Sequence, residues 1–287
     1  MQNVHFSPPE IAKLFEVNVS TIKRWVDKGF LKAQITAGGH RRISQEELAL
    51  FVKRYPKNAK KSYVLRRLKK KPEPTKDEWK EYYRALASND ITAAERVLEA
   101  LYLQNIPVPV ILDHIIAPTL KNIGDEWRKG HISIYEEHRM SFLIRLQLFR
   151  IGQLIPEVKL DKKNVAVLAC VIGEQHEIPL HMIALVMKLH GWTTHILGIN
   201  ISTVEVIKAA QKLQPSLVGL SKIFTEVGSL EYLNAIATYT KKHHAKLVYG
   251  GGGWSKVVRE RTWRGTKNIR YLASLTDFDK QLREWKQ

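Results

Sequence analysis

Residues 164–179 of the chain read NVAVLACVIGEQHEIP, an apolar run followed by glycine, a polar stretch and the start of an apolar helical segment. An apolar run such as Val165–Val171, bounded by a turn residue, is typical of a strand buried on both faces. The alternation of short apolar runs with longer helical patterns continues to the C-terminus. Five such units predict a flavodoxin-like, doubly wound parallel sheet over residues 161–287.

The predicted elements of this sheet domain follow one another regularly. Strands are expected at Val165–Val171, 194–199, 217–223, Lys246–Gly250 and 269–275. Helices are expected at 177–190, 203–213, 228–243, 254–262 and 277–286. Ligands of a doubly wound sheet bind at the carboxyl ends of the strands, where the strand order reverses. Functional residues are therefore expected directly after strands.

Polar residues and glycines follow three of the predicted strands, as Glu174-Gln175-His176, Ser221-Lys222-Ile223 and Gly250-Gly251-Gly252-Gly253. A carboxylate two residues before a histidine can bond one ring nitrogen and so orient the other as a metal ligand. Glycines allow a bulky group to lie directly against the backbone. The three loops predict a metal-binding histidine beside a slot lined by serine and glycine.

Positive charge is concentrated near the N-terminus. The chain has 46 Lys and Arg against 28 Asp and Glu, a net charge of +18, and residues 1–75 hold 17 basic and 6 acidic residues, or +11. This asymmetry indicates a polyanionic partner. The single cysteine, Cys170, excludes an internal disulfide framework and a Cys-based zinc site. No run approaches the ~18 apolar residues of a membrane span, so we expect a cytoplasmic protein without a membrane partner.

Residues 1–53 predict a winged helix-turn-helix. One helix begins at the capping box Ser7-Pro8-Pro9-Glu10, and a second, expected to be capped by Ser20, follows a tight connection. Two extended pieces around Gly38-Gly39 form a wing, and Ser44 opens another helix. Wing arginines suit phosphate, whereas side chains of the second helix suit base edges. The residues expected to face DNA are Thr21, Lys23, Arg24, His40, Arg41 and Arg42.

A basic linker and a helical bundle follow the head. Residues 54–76 hold ten Lys or Arg, one acidic residue and three prolines, which predicts a flexible tether that lets the head move. Its charge either adds attraction to phosphate or only keeps the tether solvated. Residues 77–160 predict a four-helix bundle. Its helices are expected at Glu78–Ala87, 91–104, 108–129 and Ile134–Leu154. Trp127, Glu137 and His138 then cluster at one corner, where the third helix ends and the fourth begins.

These motifs resemble those of known families. Glu174-x-His176, Ser221-x-Ile223 and Gly250-Gly251 look like the cobalamin-binding motif of corrinoid proteins. Gly38-Gly39-His40-Arg41-Arg42 after a helix-turn-helix resembles the DNA-binding domain of the MerR family. With the bundle and its Trp-Glu-His set, essentially the whole chain resembles the CarH/LitR type of adenosylcobalamin-dependent photoreceptor repressor.

The resemblance implies a role for each group. His176, with Glu174, would ligate cobalt in place of the cofactor's own base, and the serine and glycine loops would admit the freed nucleotide tail. Trp127, Glu137 and His138 would cap the adenosyl group. The dark form would be a homo-oligomer, in this family a tetramer, bound to double-stranded operator DNA. Light would break the cobalt–carbon bond and release the DNA.

Three positions depart from the family pattern. Pro179 replaces the glycine three residues past the histidine, and it cannot donate a backbone hydrogen bond. Ile223 replaces a leucine, a mild change of shape. Arg128 stands where relatives that form a second histidine bond to cobalt have their ligand, and arginine stays protonated and cannot ligate. His131 could substitute if the helix continued, but Gly130 predicts that the helix ends before it.

Two other functions compete with the light-sensing repressor. A corrinoid methyl-transfer protein would share the bundle and the sheet, but the DNA-binding head and the Trp-Glu-His set favour the repressor. A MerR-type regulator that does not use cobalamin is opposed by Glu174 and His176 and favoured by Pro179 and Arg128. We expect no enzymatic activity, because the sequence shows no nucleophile, base and orienting group in one set.

Overall fold

A computed structural model describes residues 5–36, 38–55, 77–104, 106–155, 158, 160–161, 163–224, 229–254 and 268–285. The chain divides into two compact units. The first comprises Met1–Gln147 and Gln153–Pro156, and the second comprises Leu148–Gly152 and Glu157–Gln287. Among the residues just given, no helix combines the length and apolarity needed to cross a membrane.

The first unit opens with the predicted winged helix-turn-helix. Strands β1 (His5–Phe6) and β2 (Gln34–Ile35) each pair antiparallel with β3 (Arg41–Ser44), and β2 and β3 form the wing. The three helices are α1 (Pro8–Phe15), α2 (Val19–Asp27) and α3 (Gln45–Arg54). They share one core whose fully buried side chains include Ile11, Ile22, Leu31, Ile43 and Leu48. The remainder of the expected linker, residues 56–76, lies outside the described residues.

Of the two predicted N-terminal caps in the head, the structure has the one on α1 and differs at α2. Ser7 and Glu10 form the expected capping box, and the Ser7 backbone N–H donates to Glu10 Oε2 at 2.6 Å. The prediction that Ser20 caps α2 was wrong. The helix begins two residues earlier on Asn18, whose Oδ1 accepts the Ser20 backbone N–H at 3.1 Å. Asparagine is as good a cap as serine, and its side chain reaches the second helical N–H.

The same unit continues as a helical bundle. Its elements are α4 (Glu78–Ala87), α5 (Ile91–Leu103), α6 (Val108–Ile111), a π-helical segment (Leu112–Ile116), α7 (Ala117–Arg128) and α8 (Ile134–Leu154). The expected third helix, 108–129, is thus interrupted by the π segment, where the Ala117 N–H donates to the Leu112 carbonyl. Pro118 lacks the N–H that would bond the His114 carbonyl, which accounts for the altered pattern.

The second unit is the predicted parallel sheet. Its strands are β4 (Val165–Val171), β5 (Thr193–Ile201), β6 (Leu217–Ser221), β7 (Lys246–Gly250) and β8 (Ile269–Leu272). Its helices are α9 (Ile178–Leu189), α10 (Thr203–Leu213), α11 (Ser229–Lys242) and α12 (Leu275–Glu284). The strand order β5-β4-β6-β7-β8, all parallel, is the flavodoxin-like order, so the order reverses between β4 and β6.

The expected helix at 254–262 falls almost wholly outside the described residues. Residues 252–254 form a short 3₁₀ helix, and its last side chain, Trp254, is fully buried. Residues 255–267 are not described.

Candidate functional site

The loop after β4 carries Glu174 and His176 out of the sheet at the point where the strand order reverses. The strand ends at Val171, and Gly173 turns the chain with a φ of +81°, a left-handed conformation that glycine adopts at little cost. The Gly173 N–H donates to Asn200 Oδ1 at 2.8 Å, which ties this loop to the end of β5. The two polar residues therefore occupy the ligand crevice of a doubly wound sheet.

Glu174 links the loops after β4 and β6. Its side chain is 2% exposed. Oε1 contacts the Nδ1 of His176 and accepts the His176 backbone N–H at 2.8 Å. Oε2 accepts the backbone N–H groups of Ile223 at 2.5 Å and Phe224 at 3.4 Å. One buried carboxylate thus orients the histidine and holds the neighbouring loop.

These bonds keep Glu174 ionised. Burial alone would raise the pKa of Glu174, but hydrogen bonds from His176 and from the Ile223 N–H outweigh burial and lower the pKa to about 2. A carboxylate at Nδ1 selects the tautomer with a proton on that nitrogen, so Nε2 is the nitrogen that presents a lone pair. His176 is 46% exposed at its side chain. The donor set therefore fits a single imidazole bond to a metal held in a bulky cofactor.

Phe224 was missed in the sequence analysis. Its ring packs edge-on against the His176 imidazole, with ring centroids 5.1 Å apart. Phe224 and His176 lie far apart in sequence, so no local pattern could have indicated the contact. The ring, 49% exposed, covers one side of the imidazole.

Ser221 and the glycine run lie at the ends of adjacent strands. Ser221 ends β6, and its buried hydroxyl lies beside the Cys170 thiol, where it opposes the rise in the pKa of that thiol that burial causes. The glycines pack against the loop after β6: the Gly253 N–H donates to the Lys222 carbonyl at 3.0 Å, and a Cβ at Gly251 would overlap that carbonyl. The space left by the missing side chains of Gly251 and Gly253 is therefore occupied by backbone of the loop after β6.

Pro179 and Ile223 are accommodated without a lost bond. Pro179 occupies the first turn of α9, where a helix needs no backbone N–H. Ile223 is half-buried, and its backbone N–H serves Glu174.

The first unit carries the second predicted set, at the α7–α8 corner. Trp127 lies in the last turn of α7 and is 42% exposed, so it is not a core residue. Glu137 and His138 lie in the opening turns of α8, with Glu137 Oε2 3.4 Å from His138 Nε2. The Ser141 hydroxyl donates to Glu137 Oε1 at 2.7 Å. The corner thus presents an exposed aromatic ring and a carboxylate held in position by a neighbouring hydroxyl.

Arg128, the last residue of α7, and His131, in the connection to α8, each contact an acidic side chain. Arg128 bonds Asp125. Gly130, at a φ of +74°, follows the end of α7, so the helix does not continue to His131, as its glycine predicted. His131 Nδ1 lies 2.9 Å from Glu126 Oε2.

The predicted DNA-facing side chains are all exposed or partly exposed. Lys23, Arg24, His40 and Arg42 are exposed, and Thr21 is partly exposed. Arg41, which is partly exposed, is paired within the head. Its Nη2 lies 2.7 Å from Asp27 Oδ1, and its Nη1 donates to the Lys23 carbonyl at 3.4 Å. Arg41 therefore fastens the wing to α2.

Comparison with known proteins gives three matches to family profiles along the chain. A helix-turn-helix domain matches residues 6–55, and two profiles, each described as a B12 binding domain, match residues 79–146 and 164–265. The monomethylamine corrinoid protein of Methanosarcina barkeri shares the fold, with a TM-score of 0.54 at 14% identity, over 74% of this chain and all of that one.

Two repressors of Myxococcus xanthus are similar in sequence. The HTH-type transcriptional repressor CarH is 29% identical over 152 residues, which cover 52% of this chain and 49% of CarH. The HTH-type transcriptional repressor CarA is 23% identical over 224 residues, or 74% of each chain. The match thus spans about half the length of CarH. Together with the domain matches, these relatives confirm the resemblance of the chain to CarH-type B12-dependent transcriptional regulators.

Proposed function

We propose that the protein is a light-responsive transcriptional repressor that binds operator DNA in the dark with adenosylcobalamin and releases the DNA after illumination. One observation carries this proposal: the chain joins a helix-turn-helix with an exposed cationic surface to a histidine oriented by a buried carboxylate at the sheet's switch point. The repressor relatives support the DNA-binding role, and the B12-binding domains support cobalamin.

The four segments would divide the work. Residues 1–53 read DNA, 54–76 tether the head, 77–160 cover the cofactor, and 161–287 hold it. The DNA contacts are assigned to Thr21, Lys23, Arg24, His40, Arg41 and Arg42. The cofactor contacts are assigned to Trp127, Glu137, His138, Glu174, His176, Ser221, Ile223, Gly250 and Gly251.

The residues around the proposed cofactor act by orientation and packing. When bound, adenosylcobalamin supplies a cobalt–carbon bond that visible light can cleave. Glu174 holds the imidazole of His176 through Nδ1, so that Nε2 would be the nitrogen that holds the metal. Glu137, which the Ser141 hydroxyl holds in position, would accept hydrogen bonds from ribose hydroxyls, and the exposed ring of Trp127 would pack against the adenosyl group.

Loss of the adenosyl group would leave these side chains without a packing partner. Packed interfaces change between discrete arrangements rather than continuously. We therefore expect the bundle to rearrange, the dark homo-oligomer to lose order, and the DNA affinity to fall together. Because Arg128 cannot ligate, the position after Trp127 offers the metal no second ligand, and His131 or His138 would have to supply a second histidine bond.

A corrinoid methyl-transfer protein remains the second candidate, favoured by the shared fold of the Methanosarcina barkeri corrinoid protein. The helix-turn-helix head sets this chain apart from that role, and we propose that the chain is a regulator rather than an enzyme. A regulator that does not use cobalamin would leave the Glu174–His176 pair unexplained.

The deciding experiment combines an absorption spectrum with sizing and gel shift on the full chain, mixed with adenosylcobalamin in darkness and after illumination. We expect a cobalamin spectrum that changes with light, together with lower oligomer order and weaker DNA binding. Bound cofactor without any light-dependent change in size or DNA binding would refute the photoswitch. DNA binding that is independent of cobalamin would favour the cobalamin-independent regulator, and bound corrinoid without DNA binding would favour methyl transfer.

A further inference from the structure

The helix-turn-helix head contacts the helical bundle through α5, within the first unit. Arg96 Nη2 lies 3.1 Å from Glu16 Oε1, and Lys13 Nζ lies 3.8 Å from Glu95 Oε2. Ala100 of α5 is fully buried among the core residues of the head. Two ion pairs and one small apolar residue therefore join the end of α1 to one helix of the bundle.

The contacting residues lie on matching faces. Arg96 and Ala100 are four residues apart on α5, so they share a face, and Lys13 and Glu16 lie three apart at the C-terminal end of α1. Glu99 lies on the same side of α5: its burial raises its pKa, and Lys13 and Arg96 act against that rise. Leu98 and Leu101, on the other side, are buried. Helix α5 is thus covered on two sides.

The contact leaves the DNA-facing side chains accessible. Lys23 and Arg24 of α2 and Arg42 of the wing remain exposed while α1 is held by α5. The tether alone predicts a freely moving head, whereas in the structure the head contacts α5. The contact is therefore compatible with DNA binding rather than a block to it.

We propose that α5 is a platform that sets the orientation of the DNA-reading head, so that an oligomer of the chain recognises half-sites at one separation. The proposal rests on the proposed function for its DNA partner, while the docking of the head does not. Exposed ion pairs are weak and Ala100 is small, so the platform can release the head when the bundle rearranges. A rearrangement of the bundle would thus change the orientation of the head and, with it, the affinity for DNA.

A charge reversal and its compensation test the platform. Arg96→Glu places two carboxylates against each other, and Glu16→Arg in the same chain restores opposite charges. Arg96 is partly exposed, so the substitution leaves the bundle core intact. Lys121→Glu changes the charge by the same amount on α7, where Lys121 pairs with Asp125 of its own helix, and serves as the control.

Two readouts apply to the full-length variants. Hydrogen–deuterium exchange of α5 peptides reports docking. Gel shifts use duplexes with one or two copies of a half-site selected by the wild-type chain from a random library, with the separation varied. Wild type and Lys121→Glu should prefer one separation. In Arg96→Glu the amide hydrogens of α5 should exchange faster. This variant should bind the preferred duplex about fivefold more weakly and lose the preference for one separation, while its affinity for a single half-site stays unchanged. The Glu16→Arg/Arg96→Glu chain should recover both properties.

Several results would overturn the platform. One is an Arg96→Glu variant that keeps both the wild-type preference for one half-site separation and the wild-type rate of hydrogen–deuterium exchange in α5. Another is an Arg96→Glu variant whose affinity for a single half-site falls as much as its affinity for two half-sites. A wild-type chain that selects no DNA refutes the proposed function instead. Exchange then tests the docking alone: faster exchange in Arg96→Glu, reversed by Glu16→Arg, supports it, and unchanged exchange refutes it.

Discussion

Glutamine at position 174 would test how the candidate cobalt ligand is held. The carboxylate of Glu174 is almost fully buried, and its two oxygens serve different loops: one oxygen holds His176, and the other accepts the backbone N–H of Ile223. Glutamine keeps one acceptor oxygen but turns an NH₂ donor toward groups that also donate. The Glu174→Gln variant must therefore lose either the histidine or the loop.

The expected loss follows from the pKa of Glu174. A fall in this pKa from 4.5 to about 2 corresponds to about 3 kcal/mol in favour of the carboxylate in the folded state. Because the folded pKa lies below the unfolded value, this stability is present above pH ~5 and lost as the pH falls from 4.5 toward 2. At pH 7 we expect Glu174→Gln to lower the free energy of unfolding by about 2–3 kcal/mol and cobalamin affinity by about 10–100-fold.

Denaturant unfolding of the cofactor-free protein and spectral titration with adenosylcobalamin in darkness measure the two effects. Glu177→Gln is the matched control, since Glu177 is the next carboxylate on the same loop and lies 3.8 Å from His181. We expect the control to change stability by no more than ~0.5 kcal/mol. Wild-type stability and cobalamin affinity in Glu174→Gln would show that the carboxylate does not orient His176.

Three further predictions concern other parts of the chain. Arg42→Ala should lower the slope of log affinity for DNA against log salt by about one in a salt-series titration, whereas Arg41→Ala should weaken binding through a loosened wing, with a smaller change of slope. Gly251→Ala should lower the free energy of unfolding by more than ~2 kcal/mol, because its φ is +104° and an added Cβ would overlap a neighbouring carbonyl, while Gly124→Ala, with no neighbouring atom within 4 Å, should raise it by ~0.5–1 kcal/mol. Hydrogen bonds from a buried histidine and an arginine outweigh burial and lower the pKa of Asp279, so Asp279→Asn should cost about 1–2 kcal/mol at pH 7. In thermal unfolding this difference should begin to shrink as the pH falls below 3.8 and be lost at the lower pKa of the folded state.

The order of the helices and strands could be predicted because each element has its own local hydrophobic periodicity. The strands were predicted from short apolar runs such as Val165–Val171, and the end of α7 from the glycine that follows it. Each of these signals lies within a few residues, and the structure has the predicted strand and helix end. The π segment was not predicted, because Leu112–Ile116 keeps the same apolar spacing as the helix on either side. Periodicity reports which face is buried, and it does not report which carbonyl a given N–H will bond.

The candidate site was predicted by residue type and only partly by contact. Glu174 and His176 are two residues apart, so their bond was predictable. The bonds from Glu174 to the Ile223 and Phe224 amides join residues about 50 positions apart and depend on how two loops meet. Arg41 was expected to face DNA because arginine suits phosphate, yet the nearby Asp27 offers it a partner within the head.

At Glu16, the residue that would make the head most stable differs from the residue that pairs with the bundle. Its backbone adopts a left-handed conformation, with φ of 54° and ψ of 43°, in which glycine is favoured by about 1 kcal/mol. An engineer seeking a more heat-resistant chain would choose glycine here, and the head alone would gain. Such a chain would lack the carboxylate that meets Arg96. If α5 orients the head as proposed, a library screened for thermal tolerance alone would enrich a more stable protein whose bundle no longer orients its DNA-binding head.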